Sequence, residues 1–381
     1  MRYIQVDNAG FVNKGAELML RSIIKHYDAN EEVRIVYNGG GDLNEYVKIQ
    51  KVLLNLYSPL SLQRFKIKFS NFIDSQKILM HGLVFDKDIS VVLDAGGFQF
   101  GDQWIYETTK IEKINKRIKY YKDLKKRGVK IVFLPQAFGS FEKKLSKYYI
   151  LKLYAICDLF FARDKVSFEY MSNILSSSEK LQLAPDFTNL YLPEIDDKSK
   201  FELYKNKICV IPNSKMLTHT TKEIASNYKS FLIKIVKELK RQGEEVFFLN
   251  HEGQSDLDLI KELNHLELPF LTDLNANEVK FIIGQSKMLI SSRFHGVVSG
   301  LSQSIPTFST SWSHKYNELM SDYGFFDGLL NVNKPDVSIN KISKYLHPSE
   351  YKKLKNQLDL KGKEEKKKSK EMWSMVDNFV L

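Results

Sequence analysis

A chain of 381 residues that is 43% hydrophobic and 27% charged can bury two cores of ordinary size, and this balance excludes a disordered or fibrous class. No stretch approaches the ~20 apolar residues of a membrane helix, and the first residues lack a signal peptide's apolar core, so a cytoplasmic location is the simplest expectation. The net charge of +11 is partly local, since residues 352–370 hold nine lysines against three acids. Such a helix is either a solvated face or a surface drawn to anionic lipid headgroups or lipid-linked substrates. Nucleic acid is not an expected partner, because no RNP, zinc-finger or helix-turn-helix pattern accompanies the charge. Cys157 and Cys209 are too few for a disulfide framework and sit among apolar residues, so both are expected to be reduced and buried.

In chain order, residues 3–6 read as a strand, followed by a glycine-containing loop at 9–15. Ala16, Leu18, Met19, Ile23, Ile24 and Tyr27 then make one apolar helical face. Residues 33–37 form a second strand ended by Gly39, Gly40 and Gly41. The stretch 46–83 is ambiguous, with helical parts around Pro59. Residues 91–93 are a buried strand running into Asp94-Ala95-Gly96-Gly97. A basic amphipathic helix follows at 111–127, closed by Gly128, then a strand at 130–134 ended by Pro135. A helix at 145–156, a strand at 159–162 and a helix at 165–174 complete the first half.

The second half repeats the alternation. Strands are expected at 208–211, 245–250, 288–291 and 307–309. Helices are expected at 228–241 (capped by Gly243), 256–263, 278–286 and 297–302, with a last helical region at 349–378. Alternating strands and helices imply parallel sheets covered on both faces. The fold class expected is α/β, with two facing Rossmann-like domains of the GT-B-like kind and a C-terminal basic helical region. The expected boundaries are 1–195, 205–335 and 340–381, with the polar stretch 193–200 as linker. Ligands of such sheets collect at the carboxyl ends of strands, and with two domains in the cleft between them.

The run Ser291-Ser292-Arg293-Phe294-His295-Gly296 lies where a buried strand gives way to a helix beginning near Gly296. Backbone N–H groups and the helix dipole make such a junction an anion site. Arg293 adds a fixed cation and His295 a titratable imidazole, so the run fits a small anionic substrate and a proton transfer. Lys315 follows the next strand and could reach the same anion. Arg163 and Asp164 follow the strand at 159–162. They read either as ligand contacts or as a local pair capping the next helix. Asp186 lies at another strand end, with a turn or capping role as the alternative. Asp94-Ala95-Gly96-Gly97 has the wrong spacing for a dinucleotide fingerprint and reads as a tight turn where a ligand approaches backbone. Asn13-Lys14-Gly15 lacks the Gly-Lys-Ser/Thr of a P-loop, and Glu17 reads as a dipole partner in a first helical turn. His251, before Glu252 and Asp256, is either a base or a polar loop residue. The other histidines, His26, His81, His219, His265 and His347, show no metal-ligand spacing, so no metal is expected. There is no nucleophile elbow and no His-Glu-x-x-His.

Over about residues 1–326, these motifs in this order resemble the polysaccharide pyruvyltransferase family. Asn13-Lys14-Gly15 is similar to its Asn-x-Gly loop, Asp94 to Gly97 to its glycine-rich turn, and Gln136-Ala137-Phe138-Gly139 to its Gln-Gly-x-Gly-Pro segment. Arg163-Asp164, Pro185-Asp186, Ser292 to Gly296, Ile305-Pro306 and Lys315 complete the set. Ala16, Ala95 and Ser140 depart from the family's Asp, Gly and Pro.

The resemblance implies transfer of the enolpyruvyl carbons of phosphoenolpyruvate onto a saccharide or lipid-linked saccharide, with no further cofactor. The N-terminal domain would take the acceptor and the C-terminal domain the donor. Arg163, Arg293 and Lys315 would meet the donor's carboxylate and phosphate, and His295 would protonate its methylene carbon or bind its phosphate. Ser292, Gly296, Asn13, Gly15, Gly96, Gly97, Asp186 and His251 would line the substrates, with His251 or Asp186 as base. The alternatives are a nucleotide-sugar glycosyltransferase on the same fold, or a non-catalytic component of polysaccharide assembly.

Overall fold

The computed structural model describes residues 1–11, 13–38, 56–60, 83–106, 108–263 and 266–381. The expected strand-ending Gly39, Gly40 and Gly41, most of the stretch 46–83, and His81 and His265 lie outside these residues. The chain divides into two compact units. The first comprises Met1–Phe11, Met19–Asp186 and Ser369–Leu381, and the second Val12–Leu18 and Phe187–Lys368.

The first unit is built on the strands β1 (Arg2–Asp7), β2 (Val33–Tyr37), β3 (Leu56–Leu60), β4 (Leu83–Phe85), β5 (Ile89–Asp94), β6 (Lys130–Gln136), β7 (Leu159–Ala162) and β8 (Leu181–Leu183). They form one sheet in the order β4-β3-β2-β1-β5-β6-β7-β8, and every pairing between neighbours is parallel. The chain winds outward from β1 to β4 and returns to the other side of β1 with β5. The reversal point of the sheet therefore lies between β1 and β5.

The helices of this unit are α1 (Lys14–Tyr27) from Met19 onward, its first turn belonging to the second unit, α2 (Ile111–Lys126), α3 (Lys144–Ile156) and α4 (Lys165–Ser172). In α2, Ile114, Ile118, Tyr121 and Leu124 repeat at helical spacing and are buried. They join Phe133, Phe138 and Phe160 in the core of the unit. Gly128 follows α2 with φ 82°, a left-handed conformation that glycine adopts without steric cost.

Two prolines read differently in three dimensions. Pro59 lies inside β3 and not in a helix. β2 pairs with β3 only at Leu56 and Tyr57, so at Pro59 no ladder bond to β2 is lost. Pro135 lies within β6 and does not end it, because the register with β7 shifts between Phe133 and Gln136 and accommodates the missing N–H.

The second unit carries β9 (Ile208–Ile211), β10 (Val246–Leu249), β11 (Phe270–Leu271), β12 (Met288–Ser291) and β13 (Thr307–Ser309), again all parallel, in the order β11-β10-β9-β12-β13. Its reversal point lies between β9 and β12. The helices are α5 (Lys215–Thr218), α6 (Lys222–Arg241), α7 (Gly253–Leu263), α8 (Ala276–Gln285), α9 (Phe294–Leu301), α10 (Lys315–Asp322), α11 (Pro335–Lys344) and α12 (Pro348–Val380).

Helix α6 starts six residues before the expected position, because the Thr221 side chain caps it by accepting from Ile224 N. Tyr228, Phe231, Leu232, Ile235, Val236 and Leu239 form its buried stripe. Each such side chain contributes roughly 1.5–3 kcal/mol by burial. Helix α11, with Pro335 in its first turn, carries no expectation from the sequence pattern.

Helix α12 is one continuous element. Its lysines pair along their own helix, Lys361 with Glu364, Lys363 with Asp359 and Lys368 with Glu365. From Ser369 onward it packs in the first unit, where Trp373 stacks on His26 and Asp377 accepts from Tyr27 at 2.9 Å. Cys157 and Cys209 are unpaired and buried, and burial pushes the Cys157 thiol up to about 12. Among the described residues, no helix is long and apolar enough to cross a membrane.

Candidate functional site

In the second unit the run 291–296 sits at the reversal point of the sheet. Ser291 ends β12 in register with Ile211 at the end of β9. Helix α9 begins at Phe294, two residues before the expected start, with Arg293 as its N-cap. His295 therefore lies inside the first helical turn.

Ser292 ties down the turn between strand and helix. Its N–H donates to Ile211 O at 3.0 Å, and its carbonyl accepts from Asn213 Nδ2 at 2.7 Å and Tyr316 Oη at 2.9 Å. Its hydroxyl lies 2.6 Å from both Tyr228 Oη and Thr310 Oγ1. Gly296 lets the helix approach the strands, since a Cβ there would lie 2.7 Å from Ser291 Oγ and 3.3 Å from Ile211 Cδ1.

Arg293 is held from the β10–α7 connection, one strand beyond β9 in the sheet. Asp256, fully buried in α7, accepts from its Nε at 2.7 Å and pairs with its second terminal nitrogen at 2.6 Å. Glu252 pairs with the other terminal nitrogen. Asp256 is itself fixed by Ser214, whose N–H donates at 2.9 Å and whose hydroxyl donates at 2.8 Å. Arg293 is thus a preset cation with two carboxylate partners, more deeply tied into the fold than its place in the sequence shows. Glu252 and Asp256 are the residues that sequence reasoning passed over. Their i,i+4 spacing at a helix start after a strand was the available signal.

Glu252 also accepts from Asn13 Nδ2 at 2.9 Å, and the two residues form an antiparallel bridge. Asn13 Oδ1 in turn accepts from Gly15 N at 2.8 Å and Ala16 N at 3.2 Å, which caps the start of α1. Gly15 lies directly against the His295 ring, leaving no room for a Cβ. Lys14 pairs with the buried Glu17 at 3.2 Å, in keeping with a dipole role for Glu17 at the helix start. Residues 13–17 and 251–295, far apart in sequence, therefore form one cluster.

His251 is buried beside this cluster. Burial, and then the positive neighbours Arg293, His295 and Lys14, hold its pKa well below the ordinary range, so it is neutral at pH 7. Its Nδ1 is buried without a hydrogen-bond partner among the described residues. The Lys315 ammonium, at the start of α10, lies 4.6, 5.0 and 5.6 Å from the ring centres of Trp312, Phe294 and Tyr316. Those contacts place a desolvated cation beside the neighbour of both Arg293 and His295.

Arg163, Asp186, Gly96 and Gly97 belong to the first unit. Arg163 donates to Asp186 at 3.0 Å, with both side chains nearly inaccessible to solvent. Gly97 leaves room for this guanidinium, since a Cβ there would lie 3.2 Å from it. Asp164 caps α4 by accepting from Ser167 N at 2.7 Å, which is the local capping role weighed for it. The turn after Asp94 is organised by that carboxylate. Asp94 is fully buried and accepts from Gly96 N at 3.0 Å, Gln99 Nε2 at 2.6 Å, Gln136 Nε2 at 3.1 Å, Asn8 Nδ2 at 2.7 Å and Tyr121 Oη at 2.6 Å. Arg117 neutralises it at 3.2 Å.

Asp7 stands beside Asp94 on the adjacent strand. Burial first, and then the Asp94 charge, raise its pKa from 3.8 to about 6. Its stabilising influence is present at acid pH and lost as pH rises toward 6. The upper bound of this effect is about 3 kcal/mol. Asp7→Asn is expected to gain thermal stability relative to the parent on going from pH 4.5 to pH 8. A stability difference independent of pH in paired melting curves would contradict this.

Three comparisons with known proteins bear on this geometry. The family model described as polysaccharide pyruvyl transferase matches residues 13–314. A search of curated proteins finds no match. Solved structures of similar fold include Anabaena Alr3699/HepE in complex with UDP, at 10% identity and TM-score 0.58, covering 99% of this chain and 100% of that one. They also include the Methanocaldococcus jannaschii UDP-GlcNAc 2-epimerase, at 10% identity and TM-score 0.55, covering 91% and 93%. The S. aureus MnaA–UDP structure follows at 10% identity and TM-score 0.53, covering 94% and 91%. At these identities the likeness is one of fold, and it agrees with the GT-B-like α/β class expected from the strand and helix alternation.

Proposed function

Because this chain belongs to the polysaccharide pyruvyl transferase family, we propose that it transfers the enolpyruvyl carbons of phosphoenolpyruvate onto a saccharide, forming a pyruvate ketal. The acceptor class would be an exopolysaccharide, capsule or cell-wall glycan precursor. The observation that carries this reading is the cluster of Arg293, His295 and Gly15 at the reversal point of the second sheet. It joins a preset guanidinium, an imidazole in the first turn of a helix, and a glycine that leaves space for that imidazole.

The chemistry asks for such a group. Phosphoenolpyruvate carries a carboxylate and a phosphate, and convergent cations bind both. Arg293 and Lys315 are the candidates in this unit. Protonation of the methylene carbon by His295 develops positive charge at C2. A sugar hydroxyl forms a bond to C2 and loses its proton. The C2–O bond to phosphate then breaks, inorganic phosphate leaves, and a second hydroxyl closes the ketal with loss of its own proton. His251, held neutral, is a hydrogen-bond partner and only a weak base. The Asp186 carboxylate is occupied by Arg163. Neither therefore gains support as the base.

The lysine-rich α12 would suit an acceptor presented at an anionic lipid surface. The likeness to structures solved with UDP keeps a nucleotide-sugar transferase as the second reading.

Thermal shift with phosphoenolpyruvate and with UDP-glucose separates these readings. A ligand at 100 times its Kd adds about 2.7 kcal/mol. Stabilisation by phosphoenolpyruvate alone, followed by phosphate release with a saccharide acceptor, is the expected result. Stabilisation by UDP-glucose alone would overturn the donor assignment.

A further inference from the structure

The second unit gathers its cations where its sheet reverses strand order. The first unit has an equivalent point, between β1 and β5, where Asp7 and Asp94 lie in register at the carboxyl ends of adjacent strands. Crevices at such points are the usual ligand sites of open α/β sheets. A cavity of about 570 Å³, within the range of small-molecule sites, reaches this point and runs from Asp7 and Asn8 along α2 to Asp86 and Arg127.

Its floor is polar and preset. Asp7 accepts from Gln5 Nε2 at 2.8 Å, Asn38 Nδ2 at 2.9 Å and Tyr120 Oη at 2.8 Å. An ionised carboxylate has about four acceptor positions, so these three donors leave one for a ligand hydroxyl. Asn8 follows with φ 59°, a left-handed conformation uncommon for a residue other than glycine. That turn brings its amide onto Asp94 at 2.7 Å. Backbone in sparsely populated regions concentrates at ligand sites.

The rim is basic for a reason visible in the helix. Lys113, Lys116, Arg117, Tyr120 and Leu124 of α2 recur at helical spacing and all line the cavity. Arg117 is neutralised by Asp94, while Lys113 and Lys116 are exposed. Hydroxyl-binding groups on the floor and a positive charge at the mouth describe a ligand with a polyhydroxylated ring and an anionic substituent.

We propose that this cavity binds the saccharide acceptor as a phosphate-bearing sugar, its ring hydroxyls on Asp7, Asn8 and Asn38 and its phosphate on Lys113 and Lys116. The assignment rests on the transferase reading above. Free sugar phosphates and lipid-linked saccharides share this chemistry.

The test is calorimetric titration of the full chain with the 1-phosphates of glucose, galactose, mannose and N-acetylglucosamine. Their methyl glycosides, inorganic phosphate and phosphoenolpyruvate serve as comparisons. At least one sugar phosphate is expected to bind at one site, about tenfold tighter than its methyl glycoside. The Lys113→Ala/Lys116→Ala variant, altered only at exposed positions, should lose that advantage. Asp7→Asn should weaken the sugar phosphate tenfold or more while phosphoenolpyruvate binding persists, which also shows that the variant is folded.

No saturable binding by any of the four, binding indifferent to Asp7→Asn, or equal affinity for inorganic phosphate would overturn the proposal. Vesicles carrying an undecaprenyl-diphosphate sugar then distinguish the sources. Tighter binding to them than to the free sugar phosphate identifies the lipid-linked form, and equal binding the soluble one. If phosphoenolpyruvate binds and no sugar phosphate does, this assignment alone fails. If phosphoenolpyruvate does not bind, the transferase reading fails, whatever the sugars do.

Discussion

Gly15→Ala is expected to lower kcat at least a hundredfold while leaving the chain folded. Alanine is the better helix former by up to about 1 kcal/mol, so the start of α1 has no intrinsic reason to unravel. The added Cβ would overlap the imidazole of His295, and a ring in the first turn of α9 can only rotate away. A displacement of about 1 Å in a reacting group is enough to cost two orders of magnitude. His295→Ala should give a similar loss, and the double variant should be no worse than either single one, because both remove the same function. Single-turnover phosphate release from phosphoenolpyruvate with acceptor measures all three. Near-parental rates for Gly15→Ala would remove His295, in this orientation, from the reaction.

Arg293→Ala is expected to cost stability as well as turnover. Nothing next to Arg293 in the sequence points to a buried carboxylate partner. The structure shows that Arg293 balances Asp256, which has no solvent exposure, and also Glu252. Removing one partner of a buried pair strands the other charge, at a cost of about 3–5 kcal/mol. Arg293→Ala/Asp256→Asn should recover part of that loss without recovering activity, since the cation for the donor is still absent. Denaturant unfolding read beside phosphate release separates the two effects. If Arg293→Ala unfolds within 1 kcal/mol of the parent, the pair carries no structural role.

Much of the architecture was legible along the chain. Strand and helix periodicities differ, and the buried runs at Ile208–Ile211, Met288–Ser291 and Thr307–Ser309 appear where their patterns place them. Boundaries were less legible where a side chain decides them. Thr221 extends α6, and the turn held by Ser292 starts α9 at Phe294. Proline was misleading within β3 and β6, because its cost depends on whether a neighbouring strand needs the missing N–H.

The candidate site divides along the same line. Arg293 and His295 could be recognised locally, since a strand end, a helix start and two basic residues are adjacent in the sequence. Their partners could not. Glu252 and Asp256 reach Arg293 because the β10–α7 connection opens at the same end of the sheet as the β12–α9 connection. Gly15 meets His295 across 280 residues of chain. The Asp7–Asp94 pair likewise depends on β5 returning beside β1. Local sequence set the elements and the residue types at their ends, through periodicity, capping and burial. Strand order, a property of the whole sheet that no local window encodes, chose which of those ends share a site.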